Sequence, residues 1–460
     1  MSASRVRVMV IGAEAHQGLA VIRGLGAAGA DVIAAGAERR SLAFYSRYVM
    51  ERVRHRSPLG DVDGFVRDIC DAARRVAPDL ILPATDATLA ALLARRREVE
   101  QVAPLAAPPN ATAAYALDKR AMLDLATSVG VPVPRSAVGA TMEALLTHAR
   151  LLRPPYVVKR RGHERSIAMS GDGGLAVRYA ADRNELRRVL LPLAGEAEHL
   201  LVQEYVPGIG RCVASVWRQG RPVALFAYER ERELPLSGGV SVVRRSIALD
   251  PELSALTTKL LATIGWHGVA TVEFRYDRRT RRYNLMEING RFPGATALCI
   301  DAGMNLPQLA MSVHLDRETP VAGTYRCNVR ERWLYGDLAA LLGTLKTIHG
   351  VPVGIIGRIV AFASALMPFV RDFGRVANYD EFRLADPKPG AMEAWGMVSD
   401  AARAMAMAIA RLIRPSRKSA PRPEAAVPTP LPAARDIVSA APEPATRMAA
   451  SAVAQRSIRA

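Results

Sequence analysis

Across residues 5 to 110, short apolar runs alternate with longer stretches of helical period. Val6 to Ile11 reads as a fully buried strand. The turn Gly12 to Gly18 leads into an Ala/Leu/Ile-rich helix running to Gly29, and Asp31 to Ala35 reads as a second strand. This β-α-β order predicts a parallel sheet. Asp79 to Pro83 reads as a later strand whose C-terminal end carries Thr85 and Asp86, on the side where ligands gather in open α/β sheets. The glycine turn lacks the full G-x-G-x-x-G spacing of a dinucleotide site, so Gly12 and Gly18 are read as serving a tight turn.

Prolines at 104, 108 and 109 mark a boundary, after which Ala111 to Gly130 has helical period and stops at a glycine followed by Val131-Pro132-Val133-Pro134. From Tyr156 to about Cys299 the period changes to two. VVKRR, HLLVQEYV, RCVASVW, PVALFAYER, VATVEFRYD and RYNLMEING are strands separated by turns, with a helix over Pro251 to Ile264 among them. Beyond residue 316 the pattern is helical again, through Asp337 to Leu345, Val351 to Val370 and Glu393 to Ile413, with Asp386 to Gly390 as a turn. The last stretch is Ala/Pro-rich with few large apolar residues, too little to bury a core, and is expected to be disordered. The expected organisation is thus a parallel-sheet α/β domain over 1–110, a mixed α+β domain over 111–315, a helical extension over 316–414 and a basic tail over 415–460.

With 460 residues, 50% hydrophobic and 23% charged, the composition is that of an ordinary soluble chain apart from its net charge of +18 and pI near 10.3. That balance favours phosphate, anionic lipid or acidic substrates. Arginine is spread along the whole chain with no RNP, zinc-finger or basic-helix motif, so no nucleic-acid partner is expected. Cys70, Cys212, Cys299 and Cys327 lack the paired spacing of a zinc site or a disulfide framework, and Glu14 and His16 interrupt the first apolar run before an export signal could form. A cytoplasmic location is expected. Val351 to Val370 has the length of a membrane span, but Pro352, Gly354, Gly357, Arg358 and Pro368 break it. A buried or surface-docked helix is the expectation; contact with the inner face of the membrane is the alternative.

The strongest local chemistry lies in two strands, Val269 to Phe274 and Tyr283 to Arg291, joined through the basic turn Asp277 to Arg282. A hairpin there would bring Glu273 and Glu287 onto one face. Two carboxylates and the Asn289 carboxamide are hard oxygen ligands, suited to Mg²⁺ bridging ATP phosphates, with Mn²⁺ as an alternative metal. Arg291, two residues further, can share that face and present its planar fork to a phosphoryl group. Arg230 and Arg232 are further candidates for phosphate or an acidic substrate, and the Gly238-Gly239 turn for close backbone approach.

The E-x-N-x-R pattern ending at Arg291 resembles the metal-binding motif of the ATP-grasp family. The resemblance extends over roughly residues 5 to 315. Lys119 and Lys159 look like the two family lysines that approach the ATP phosphates, and Gln203-Glu204-Tyr205-Val206 looks like the hinge strand that receives adenine, through Gln203, Glu204 and Val206. Arg230 to Ser241, with GWHGVATVEF and MEINGRFPGA, is similar to a bacterial branch of carboxylate-amine ligases related to carbamoyl-phosphate synthase. The resemblance implies a pre-ATP-grasp domain followed by two nucleotide-binding lobes, and ATP- and Mg²⁺-dependent activation of a small-molecule or saccharide-linked carboxylate as an acyl phosphate for attack by an amine. In that reaction Arg291 would stabilise the transferring phosphoryl group. The alternatives are a silent ATP-binding regulatory protein at a membrane surface, and an enzyme of the same family using bicarbonate or a thiol. Two features depart from the family pattern. Gly210-Arg211-Cys212 stands where many relatives hold the ribose, and the loop from Arg160 to Gly174, with His163, Glu164 and Arg165, is unusually basic for a phosphate-covering flap, although Gly171, Gly173 and Gly174 suit movement.

Overall fold

The computed structural model describes residues 5–162, 177–234, 239–319, 323–345 and 354–413. The basic tail, the glycine-bearing part of the loop after Arg160 with His163, Glu164 and Arg165, and Pro235 to Gly238 lie outside the described residues.

Strands β1 (Arg7–Ile11), β2 (Asp31–Gly36), β3 (Val49–Arg54) and β4 (Leu80–Pro83) form a parallel sheet in the order β3-β2-β1-β4. Their apolar runs are continuous because β1, β2 and β4 are covered on both faces. The turn after β1 needs its glycines. Gly12 has φ +108°, and a Cβ on Gly18 would lie 2.1 Å from the Gly12 carbonyl oxygen. The helix Asp86–Ala94 begins directly after β4, capped by Thr85, which leaves Asp86 in its first turn.

The second sheet is a small antiparallel one, built from β5 (Ser136–Ala137), β6 (Tyr156–Arg160), β7 (Val177–Ala180) and β8 (Leu200–Glu204) in the order β5-β8-β6-β7. The third carries β9 (Ile209–Arg218), β10 (Arg221–Leu234), β11 (Val240–Ser246), β12 (Gly268–Asp277), β13 (Arg282–Asn289), β14 (Arg330–Arg332) and β15 (Asn378–Tyr379). Its order is β13-β12-β9-β10-β11-β14-β15. Alternation along β9 and β10 separates two cores. Cys212, Ala214, Phe226 and Tyr228 belong to a core shared with Leu19, Ile22 and Leu25 of the first domain and with Leu298 and Leu306. Val213, Trp217, Ala227 and Val272 pack instead with Trp266 and with Leu253, Leu260 and Leu261 of the helix Pro251–Thr263. A continuous core therefore runs from the parallel sheet to the large one.

Three differences from the sequence pattern have physical causes. The expected helix over 111–130 is two helices, Asn110–Leu117 and Lys119–Ser128. Asp118 between them is extended (φ −122°, ψ 111°), pairs in β fashion with Gly162 and caps the second helix through Arg120 and Ala121 N–H. The last region is helical over Leu334–Gly343, Ile355–Arg371 and Lys388–Ile413, but it also supplies β14 and β15, too short to leave a period. Of the turn read at Asp386 to Gly390, Asp386 and Pro387 precede the last helix and Lys388 to Gly390 form its first turn. Asp386 itself accepts from the Arg23 guanidinium (2.9 Å), the Ser46 hydroxyl (2.7 Å) and Arg47 N–H (2.8 Å) of the first domain.

This C-terminal region is fastened by buried ion pairs. Arg332 and Asp337 are 0% and 1% exposed and meet at 2.7 Å, while Arg232 reaches Asp337 and, at 2.7 Å, Asp372. Arg244 pairs with Asp380, and Arg383 with Glu331 at 2.7 Å. Removing one partner from a pair of this kind costs about 3–5 kcal/mol, because a buried charge is left behind. Among the described residues no helix is long and apolar enough to cross a membrane.

Candidate active site

The site forms on the hairpin of β12 and β13. Asp277 turns the chain by accepting from Arg279 N–H at 2.8 Å, and the register then sets Glu273 opposite Glu287 and Thr271 opposite Asn289. A register shift between Glu273 and Phe274 adjusts the strand beside the carboxylates. The alternation that hides Val272, Phe274 and Ile288 in the core leaves Glu273 and Glu287 facing a cleft of about 560 Å³.

Cationic side chains surround these acids. The extended conformation of Asp118, held by Arg161 at 2.8 Å, places Lys119 at the head of its helix with Nζ 2.9 Å from Glu287. Lys159 projects from the end of β6 into the same cleft. Burial pushes its ammonium pKa down to about 8, against the opposing pull of Glu287. Burial raises the Glu273 carboxyl pKa; Arg230, 2.5 Å away, works against that rise and the neighbouring Glu287 adds to it. Arg230 also donates to Glu233 and to the Gly239 carbonyl. Arg291 grips one Asp86 oxygen with Nε at 3.0 Å and Nη2 at 2.9 Å. Arg291 is thereby tied across the seam to the end of β4 in the first domain.

The donor set fits a hard divalent cation. Asn289 donates its amide N–H to Glu273 at 3.2 Å, which turns its carbonyl oxygen away from that carboxylate, and this buried oxygen has no hydrogen-bond partner. An orphaned buried carbonyl beside two carboxylates is costly unless something accepts its lone pairs. Among the described residues no group of three or more His, Cys, Asp or Glu could hold a metal by itself. The remaining ligands of a magnesium ion would therefore come from phosphate oxygens and water, as is usual for Mg²⁺.

The structure brings Lys119, Lys159, Glu273, Glu287, Asn289 and Arg291 into one cleft. Gln203, Glu204 and Val206 sit apart from its lining, at the end of β8. The Gln203 amide donates to Ser136 Oγ at 2.9 Å, and the Glu204 carboxylate accepts from Arg153 N–H at 2.9 Å. The Glu204 and Tyr205 backbone N–H groups are bonded to the Arg135 and Pro155 carbonyls, and Val206 is half-buried beyond them. Arg232 belongs to the C-terminal ion-pair network and does not line the cleft. Arg211 lies over the Tyr276 ring at 4.3 Å and donates to the Tyr283 hydroxyl. Sequence reading missed Arg275 and Glu233, which line the cleft and pair at 3.6 Å. The two-residue step from Glu273 to Arg275 was the available signal.

The family model described as ATP-grasp in the biosynthetic pathway with Ter operon matches residues 196–335, which include β9 to β13 with Glu273, Glu287 and Asn289. The chain is similar to a D-alanine–D-alanine ligase from Caulobacter sp. (strain K31), 26% identical over 194 residues, covering 40% of this chain and 58% of that protein. It is also similar to a carbamoyl phosphate synthase large chain from Methanoculleus marisnigri, 27% identical over 315 residues, covering 62% of this chain and 29% of that one. The chain thus spans less than two thirds of the length of either relative. In architecture it resembles an N5-carboxyaminoimidazole ribonucleotide synthetase in its ADP complex, with a TM-score of 0.58 at 12% identity over 81% of this chain and 100% of that chain. Sequence and architecture point the same way: over residues 196–335 the chain matches an ATP-grasp family model, and its fold resembles that of an ATP-grasp enzyme.

Proposed function

We propose that this protein is an ATP- and magnesium-dependent ligase that activates a carboxylate as an acyl phosphate and couples it to an amine. The observation that carries the proposal is the cross-strand pair Glu273 and Glu287, with the orphaned Asn289 carbonyl beside them and two lysines in the same cleft. Glu273, Glu287 and Asn289 would hold the metal, which when bound screens the phosphate charge and so eases phosphoryl transfer. Lys119 and Lys159 would steady the phosphates from the opposite wall. Arg291, oriented by Asp86, would turn its remaining guanidinium N–H groups towards the charge that develops on the transferring group. The carboxylate oxygen attacks the γ-phosphorus and ADP leaves; the amine then attacks the acyl carbon and inorganic phosphate departs. Neither step needs a side-chain nucleophile. Of the three residues read as adenine contacts, Val206, beyond the end of β8, remains the proposed one; Gln203 and Glu204 are engaged within their own sheet and with Arg153. The likeness to a D-alanine–D-alanine ligase supports the acid-plus-amine reading over other chemistry of the superfamily.

The test is ADP release from Mg-ATP by purified protein, screened against pools of small carboxylic acids and amines, with Glu287→Gln as background. Turnover that needs one acid and one amine, and that is lost in the variant, supports the proposal. Turnover with bicarbonate in place of any organic acid would replace it.

A further inference from the structure

The helix Ile355–Arg371 has no buried residue, although it is almost wholly apolar. One face lies against the protein. There Phe369 sits under the Arg332 guanidinium at 4.3 Å and accepts from it through its carbonyl at 3.0 Å. The opposite face follows the helical period as Ile355, Ile356, Ile359, Val360, Met367 and Val370, exposed by 74%, 76%, 61%, 59%, 72% and 55%. Phe373, 52% exposed, lies just beyond the helix. An amphipathic surface helix places its apolar stripe inward; this one presents a second apolar stripe to solvent.

We infer that this face docks in the plane of an anionic lipid surface. Charge decides the occupant. Arg371 and Arg375 are exposed at the end of the stripe, and the only acid between residues 354 and 375 is Asp372, which is buried and paired with Arg232 at 2.7 Å. A second copy of the same face would offer these arginines no carboxylate and leave them unpaired in a drying interface. Phosphate headgroups supply the missing anions, while the acyl boundary takes the isoleucines and Met367. At 17 residues the helix is too short to cross a membrane, so it lies along the surface.

The experiment is flotation of the full chain with vesicles of equal phosphatidylcholine and phosphatidylglycerol, against phosphatidylcholine alone. Expected is co-flotation with the anionic vesicles only, weakened by 0.5 M salt relative to roughly 0.1 M, where screening is far weaker. The triple variant Ile356→Asp, Ile359→Asp, Met367→Asp removes binding without touching a packed residue, and its unfolding temperature checks the fold. Arg371→Glu with Arg375→Glu provides an independent variant and weakens binding about 30-fold or more, since each basic residue near such a surface contributes about 1 kcal/mol. Absence of flotation, or flotation that survives the triple substitution, overturns the inference. So does a dimer, seen by sedimentation, that the triple variant dissociates while the parent protein ignores vesicles.

Discussion

Replacing Glu287 by Gln separates stability from activity in a way that depends on the geometry of the acid pair. Directly paired residues on neighbouring antiparallel strands have Cβ atoms about 5 Å apart. Two carboxylates near that distance repel by about 3 kcal/mol at an effective dielectric of about 20. Glu287 also pairs with Lys119 at 2.9 Å, an attraction of about 6 kcal/mol on the same arithmetic, reduced where the cleft is open to water. Neutralising Glu287 removes both, so the two largely offset and the net loss of stability is expected at up to about 2 kcal/mol, a shift of roughly 4–8 °C in Tm for a domain of this size. Activity has no such offset. Loss of a charged metal ligand removes stabilisation present only when phosphate is being transferred, and about a 1,000-fold fall in turnover, roughly 4 kcal/mol, is the expected scale. The assay pairs ADP release with thermal unfolding in the presence and absence of Mg-ATP. The parent protein should gain about 2.7 kcal/mol at one hundred times the dissociation constant, and the variant should lose the magnesium-dependent part of that gain. Turnover within tenfold of the parent, or a Tm lowered by more than about 10 °C, would refute the reasoning and make the pair a structural element.

Lys159, with a pKa lowered to about 8, is expected to recover its proton when Mg-ATP places phosphate beside it. Calorimetry near pH 9 in buffers of different ionisation enthalpy should then report proton uptake on nucleotide binding, and Lys159→Arg should abolish it, because guanidinium stays charged. Asp86→Asn loosens Arg291 across the domain seam; kcat should fall about 10- to 100-fold with KM for ATP nearly unchanged. A raised KM at constant kcat would place Arg291 in ground-state binding instead. Glu381 is held up at about pKa 7 by burial and by Asp380 beside it, above its unfolded value near 4.5. Its folded form keeps a proton that the unfolded chain has lost, so the penalty grows as pH rises from about 4.5 to 7 and is constant above. Glu381→Gln, which can still accept from Leu334 N–H, should therefore stabilise by up to about 3 kcal/mol at pH 8 and by nothing near pH 4; a pH-independent change would contradict this.

The residues proposed to carry the chemistry were legible because their signal is local. Period-two alternation across Val269 to Arg291 fixes which side chains share a face, and that face had to hold two acids, an amide and an arginine whatever else the chain did. The β-α-β order of the first domain was legible for the same reason, since a buried parallel strand is written as an unbroken apolar run. The hinge residues show the limit of motif reading. Gln203 and Glu204 occupy the expected strand end, yet their side chains are taken by Ser136 and by Arg153 N–H, from segments distant in sequence.

Sequence alone therefore determined the strand periods, the glycine turn after β1 and which polar side chains share one face of the β12–β13 hairpin, all consequences of backbone geometry over a few residues. Tertiary structure alone decided that the helix over 111–130 breaks at Asp118, where Arg161 and Gly162 outweigh local propensity. It also decided that Asp86 holds Arg291 across two domains, and that Arg232, Arg244 and Arg332 are buried partners of acids more than a hundred residues away or five residues on. An arginine carries no local mark of whether it will meet water, phosphate or a buried carboxylate, because desolvation and pairing are settled only when the chain has closed around it.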